Sequence, residues 1–359
     1  MYGSAADWTI IQRCGHFRRM EIIDNFDVGD VSVSTALDFG MGSWGFASVY
    51  PKLRAARNCI GVDISDVAIR MSQEKDSAIC SKTVYLRSDM DVVPVSDDSV
   101  DIFWGGEVVE HVVEPRQYLQ DVARACKEGA HVVLSTPNRD ALMYLLDGQD
   151  FAIGPEHIAL LNCPELRRLS NLFFDEVVLC GYETSISPGY DTALTDEEIG
   201  KQIQERAYCY PALASGMIYH GIVNKSKLRL NRRDCVRMDL RWDDPSVRFV
   251  GHAQKMLLSG SEYAGALPEN GVVQLLMPAV KYVFYFWAHD WSGIVQITVG
   301  NQRREVDLFS RLGGYKRIEF QFDDLDDRQI TIQRTGGRSA RSRDSQVLFH
   351  SVVSLRWQI

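Results

Sequence analysis

The chain has no C-x-x-C pair, no long apolar run and no basic excess, and each absence removes a class of protein. Its 359 residues include eight cysteines, at positions 14, 59, 80, 126, 163, 180, 209 and 235. Scattered in this way, they neither staple a small secreted domain nor form a zinc knuckle, and they read as buried thiols of a reducing cytosol. The most apolar later stretch, VKYVFYFWA at 280–288, is half a membrane span. The leading MYGSAADWTIIQRCGHFRR has no uninterrupted apolar core and carries its charges late, so it is not read as a secretory signal. A net charge of −9 argues against a nucleic-acid partner, because phosphate contacts need a basic surface. No internal repeat is visible. The expectation is a cytoplasmic protein without a transmembrane segment.

What is present is enough apolar material for two cores, at 45% hydrophobic and 24% charged residues. The first part alternates short apolar runs with helical patterns, as a parallel sheet with crossover helices does. Strands are expected at 35–39, 58–63, 83–87, 99–104 and 130–136, with helices at 45–57, 66–75 and 115–126 between them. A helix around 164–171, a strand around 176–182 and an apolar run at 217–223 follow, with an insertion at about 185–214. Near 225–235 the texture changes: KSKLRLNRR reads as a solvated linker, and helical periodicity then nearly vanishes. About eight short β-rich runs separated by turn residues predict an antiparallel sandwich or barrel. The expected domains are therefore 1–229, α/β with a helical lead-in, and 230–359, β-sandwich-like.

Chemistry concentrates in the first domain. ALDFGMGSWGF runs from a strand into three glycines, Gly40, Gly42 and Gly45, at G-x-G-x-x-G spacing. Such a turn lets backbone approach a ligand closely and serves several nucleotide types. Asp38, two residues before the first glycine, is unwelcome beside a pyrophosphate but suits a ligand carrying an ammonium and a sulfonium. CIGVDIS ends a strand in Asp63, followed by Ile64, where a carboxylate can accept both hydroxyls of a ribose diol. The third piece is YLRSDMDVVPVSDDSVDIFWGGEVVEHVVEP, with Asp89, Met90, Glu107, Glu110 and His111.

In order, these pieces resemble the motifs of class I S-adenosylmethionine-dependent methyltransferases, in the type 11/23-like subgroup. GAHVVLSTPN resembles that family's fifth strand, and PEHIALLNCPELRRL a segment beyond it; the resemblance covers roughly 30–225. It implies a doubly wound Rossmann-like sheet with S-adenosylmethionine as cofactor. It also implies roles: Gly40, Gly42 and the loop around them against the methionine part, Asp38 orienting that end, Asp63 at the ribose, with Gly45 and Ile64 among the cofactor-binding residues. Asp89 with the Met90 backbone would read the adenine edge, and Glu107 would close the fourth strand at the ligand edge. Trp44 stands where the family usually has a small residue, and either packs over the cofactor or lines the start of a helix.

In-line methyl transfer to a hydroxyl needs a positioned nucleophile and a base for its proton. His111 and His157 are the candidates, His157 placed first because its loop should reach the substrate side, with an ordinary hydrogen-bonded histidine as the alternative for each. Asp97, Asp98 and Asp101 read as turn residues, so no metal site is expected. The leading expectation is O-methylation of a glycan, lipid-linked saccharide or other large acceptor. The alternatives are a small-molecule methyltransferase that uses the β domain to form a homo-oligomer, and a non-catalytic carbohydrate-binding protein. The aromatics Phe284, Phe286, Trp287 and Trp291 are expected in the sandwich core, with a sugar-stacking face as the other reading. An NAD-dependent oxidoreductase shares the glycine turn but does not explain Asp38 or the 89–112 pattern.

Overall fold

The computed structural model describes residues 10–77, 82–141, 157–182, 212–233, 235–250, 254–259, 262–268, 271–309, 314–324, 326–338, 340 and 342–357. The expected insertion falls outside them up to residue 211. Two compact units divide the chain: Met1–Gly148 with Ala159–Arg232, and Gln149–Ile158 with Arg233–Ile359.

The first unit holds a seven-stranded sheet. Its strands are β1 (Thr35–Phe39), β2 (Asn58–Asp63), β3 (Thr83–Arg87), β4 (Val100–Gly106), β5 (Cys126–Pro137), β6 (Phe174–Tyr182) and β7 (Gly216–Val223). They lie in the order β3-β2-β1-β4-β5-β7-β6. The first five are parallel and β7 runs antiparallel to both neighbours. Helices are α1 (Ile10–Asp24), α2 (Asp66–Asp76), α3 (Pro115–Ala125), α4 (Cys163–Ser170) and α5 (Lys225–Asn231).

Strand periodicity sorts side chains onto two faces, each with its own core. Leu37, Phe39, Phe103 and Leu134 pack with Tyr118, Leu119 and Val122 of α3 and Leu166 of α4. The alternate residues Ala36, Ile102, Trp104 and Val133 pack with Ile22 and Ile23 of α1 and with Phe46, Tyr50 and Leu53. Fully burying each large side chain contributes about 1.5–3 kcal/mol. The helices start on local signals. The Ser65 side chain accepts the Ala68 N–H at the head of α2, and Asn162 with Glu165 forms a capping box on α4.

Two expectations fail here. The predicted helix 45–57 is a turn followed by a short 3-10 helix, Pro51–Ala55. Ala47 has φ 53°, and the amides of Phe46 and Ala47 bond to carboxylates, not to helical carbonyls. The predicted linker KSKLRLNRR contains α5, because Asn224 caps it and Leu228 is buried.

The second unit is an antiparallel β-sandwich. One sheet comprises β8 (Cys235–Arg241), β10 (Gln254–Ser259), β11 (Glu262–Ala266), β13 (Lys281–Ala288), β16 (Gly314–Gln321) and β18 (Leu348–Trp357). The other comprises β9 (Arg248–Val250), β12 (Val272–Pro278), β14 (Gly293–Val299), β15 (Gln302–Asp307) and β17 (Asp327–Arg338). Phe284, Phe286, Phe320 and Val352 of the first sheet meet Val273, Leu275, Ile297 and Ile332 of the second in one core.

Candidate active site

The glycine turn sits at the carboxyl end of β1, between β2 and β4, where open α/β sheets bind ligands. All three glycines take positive φ: 75° at Gly40, 64° at Gly42 and 96° at Gly45. At Gly40 there is no room for a side chain. A Cβ would come 2.5 Å from the Val108 side chain and 3.1 Å from the Met90 methyl. The turn, the 89–90 segment and the residue after Glu107 therefore converge at one point.

Around the turn lie three buried carboxylates. Asp38 accepts the Ala47 N–H at 2.6 Å. Asp63 accepts the Gly42 N–H on Oδ2 at 2.9 Å and the Ser65 N–H on Oδ1 at 2.8 Å. Asp76, which sequence reasoning missed, accepts the Phe46 N–H at 2.6 Å. Ser72 takes the Gly45 N–H at 3.1 Å, and the Val62 carbonyl takes those of Gly40 and Met41. An anion cradle needs such amides open toward the ligand; here they are committed to carboxylates, a hydroxyl and a carbonyl. The resulting field favours a cation. Burial raises the Asp38 carboxyl to about 7 despite its Ala47 hydrogen bond, with Asp63 and Asp76 adding to the rise.

Ile64, beside Asp63, is half exposed. Asp89 is exposed at the end of β3, where it accepts the Asp91 N–H at 3.1 Å. Trp44 is half-buried with Lys75 Nζ 4.5 Å from its ring centroid, so it stacks on α2 and does not line a helix start.

A second cluster closes β4. Glu107 has φ 57°, a strained value for a residue with a side chain. Its Oε1 accepts from Ser135 Oγ at 2.8 Å and Tyr182 Oη at 3.1 Å, and pairs with Arg19 of α1 at 3.0 Å. Glu110 is fully buried; Thr136 donates to its Oε2 at 3.0 Å, while Oε1 has no hydrogen-bond partner and lies 3.7 Å from His111 Nε2. Burial, reinforced by Glu107, pushes Glu110 well above the usual carboxylate range. His111 thus lies in the same unit as the glycine turn, beside a buried acid. His157 falls in the strip Gln149–Ile158, which groups with the second unit.

Asp97 and Asp101 serve the fold, paired with Arg124 at 2.7 Å and Lys127 at 2.8 Å. Arg124 also donates to the carbonyls of Val93 and Val95, pinning the loop that precedes β4. In the sandwich, Phe284 and Phe286 are fully buried, whereas Trp291 is 48% exposed. The aromatics are therefore mainly core, and only Trp291 offers a largely open ring.

Residues 37–134 match a family model described as a methyltransferase domain. A probable S-adenosylmethionine-dependent methyltransferase of Mycobacterium tuberculosis is 28% identical over 127 residues, 35% of this chain and 44% of that protein. A ubiquinone biosynthesis O-methyltransferase of Nitrosomonas europaea is 29% identical over 144 residues, 40% of this chain and 58% of that protein. The chain thus spans about half the length of the curated relatives it matches. A Thermotoga maritima structure described as a SAM-dependent methyltransferase, possible histamine N-methyltransferase, aligns over 59% of this chain and 91% of its own. Its identity is 12% and the TM-score 0.45. Residues 37–134 of the first unit are a methyltransferase domain of the S-adenosylmethionine-dependent kind. Among the described residues, no helix is long and apolar enough to cross a membrane.

Proposed function

We propose that the chain transfers a methyl group from S-adenosylmethionine to a hydroxyl of its acceptor. One observation supports this reading above the others: the glycine turn is ringed by the buried carboxylates Asp38, Asp63 and Asp76, which take the amides of Ala47, Gly42 and Phe46. That surrounding suits a sulfonium and an ammonium and repels a pyrophosphate. The residues fit the donor: Gly40 and Gly42 at its methionine part, Asp38 and Asp63 as charge partners, Ile64, Asp89 and Met90 toward the adenosine. When bound, S-adenosylmethionine supplies an electrophilic methyl on sulfur.

The chain's own work is to place the acceptor and take its proton. His111 serves as the base, accepting the hydroxyl proton on the ring nitrogen turned away from Glu110. Glu110 Oε1 lies 3.7 Å from Nε2, beyond hydrogen-bond reach, so the buried acid borders the imidazole without bonding to it. Glu107, held by Arg19, Ser135 and Tyr182, braces the strand end beneath it. Two acceptor classes follow. The ubiquinone biosynthesis O-methyltransferase relative supports a small molecule, and exposed Trp291 beside Asp290 in the sandwich supports a glycan, for which an open indole is a stacking surface.

The test is a donor-consumption screen with phenols and oligosaccharides, run on wild type, His111→Ala and His157→Ala. Loss of turnover in His111→Ala alone, with donor binding intact, is the expected result. Full activity of His111→Ala would overturn its role as base, and loss in His157→Ala alone would transfer that role. Absence of donor binding by wild type would overturn the whole reading.

A further inference from the structure

The glycine turn has no helix of its own behind it, because residues 45–50 are irregular and only a short 3-10 helix follows. Something else must hold it. Three residues of α2 do so, at spacings that put them on one helix face. Ser72 Oγ accepts the Gly45 N–H at 3.1 Å and donates to the Gly42 carbonyl at 2.8 Å, stitching two points of the turn through one atom. Lys75 donates to the Ser43 carbonyl at 2.8 Å and stacks on Trp44. Asp76 accepts the Phe46 N–H and a hydrogen bond from Tyr85, and it is 2% exposed.

Two details show that the clasp is built for the turn. A Cβ on Gly45 would lie 2.6 Å from Asp76 Oδ1, at a φ of 96°, so the carboxylate occupies space that only glycine leaves. That same Oδ1 is buried without a hydrogen-bond partner, an arrangement folding alone disfavours. Ser72 is likewise fully buried, with its hydroxyl turned to the loop.

We propose that Ser72 and Asp76 are positioning residues for the methyl donor: α2 sets donor affinity by clasping residues 42–46 from behind, without touching the donor. This rests on the reading of the turn as the donor site. Calorimetric titration of the full chain with S-adenosylhomocysteine, alongside the melting temperature without ligand, tests it. Ser72→Ala, which removes both hydrogen bonds to the turn, is expected to weaken binding at least about tenfold, with the ligand-free melting temperature nearly unchanged. Ser72→Thr, which keeps the hydroxyl, is expected to bind close to wild type. Asp76→Asn is expected to weaken binding further, and Ser72→Ala decides the matter alone if Asp76→Asn does not fold. A folded Ser72→Ala that binds as tightly as wild type would overturn the clasp and leave the donor site standing. Loss of melting temperature with unchanged affinity would make Ser72 merely structural, which also overturns the clasp. Wild type that fails to bind S-adenosylhomocysteine would instead overturn the underlying reading.

Discussion

The two units bury different things. Among the described residues the first buries the carboxylates Asp38, Asp63, Asp76, Glu110 and Glu114. The sandwich buries none; its buried polar side chains are serines and one arginine, Arg328. Sequestering a carboxylate costs free energy unless its partners are well placed. The first unit bears that cost at the carboxyl end of its sheet, where Asp38, Asp63 and Glu110 cluster near strand ends. The sandwich invests in Phe284, Phe286 and Phe320, which favour stability. Buried carboxyl groups thus mark the proposed donor edge, and apolar burial marks the scaffold.

The sharpest way to break this contrast is to exchange the expected losses. Phe284→Ala should cost about 3–5 kcal/mol of sandwich stability, read by denaturant unfolding, while the affinity of the first unit for S-adenosylhomocysteine stays within twofold. Asp63→Ala should weaken binding of S-adenosylmethionine by roughly 10- to 100-fold, from the loss of charge-assisted hydrogen bonds of about 1.5–3 kcal/mol, measured by calorimetry. Equal binding would remove Asp63 from the site.

Acid separates the units more gently. Burial pushes the Asp38 carboxyl up to about 7, so its charge is expected above that pH and lost below it. Affinity for S-adenosylmethionine should therefore fall on acidification through 7 relative to S-adenosylhomocysteine, which lacks the sulfonium; a constant ratio would contradict it. His220, 3.0 Å from His131 and stacked on Phe26, has its pKa lowered by burial to about 4. The unfolded chain, with a histidine near 6.5, binds that proton first. Stability of the first unit should thus decline as pH falls from about 6.5 toward 4, and His220→Phe should flatten that decline. The smallest effect is expected at the exposed Asp290–Arg343 pair, 3.4 Å apart; Arg343→Ala should cost at most about 1 kcal/mol.

Sequence disclosed the fold wherever pattern and packing agree. The strand alternation of Ala36–Phe39 and the apolar face of Tyr118, Leu119 and Val122 both reappear in the two cores. Gly40, Gly42 and Gly45 announce their positive φ through residue type. Other features lack a local signal. Asp76 ends a helix in an ordinary acidic residue, and only tertiary packing carries it to the turn, thirty residues away from Phe46. Arg19 reaches Glu107 from α1 across most of a domain, a pairing no spacing rule encodes. The 45–57 segment has helical composition, but carboxylates compete for its first amides. α5 was obscured by its charge, since KSKLRLNRR buries only Leu228.

The position of β18 has a consequence for biogenesis. This last strand lies between β11 and β13 and also pairs with β8. On a translating ribosome, the sheet of the first unit has all its strands once Val223 emerges, whereas the sandwich keeps open edges until Leu348–Trp357 leaves the exit tunnel. The first unit can be assembled while one sheet of its companion still lacks the strand that joins β8 and β11 to β13, so chains truncated before Leu348 should aggregate through the sandwich with the first unit already folded.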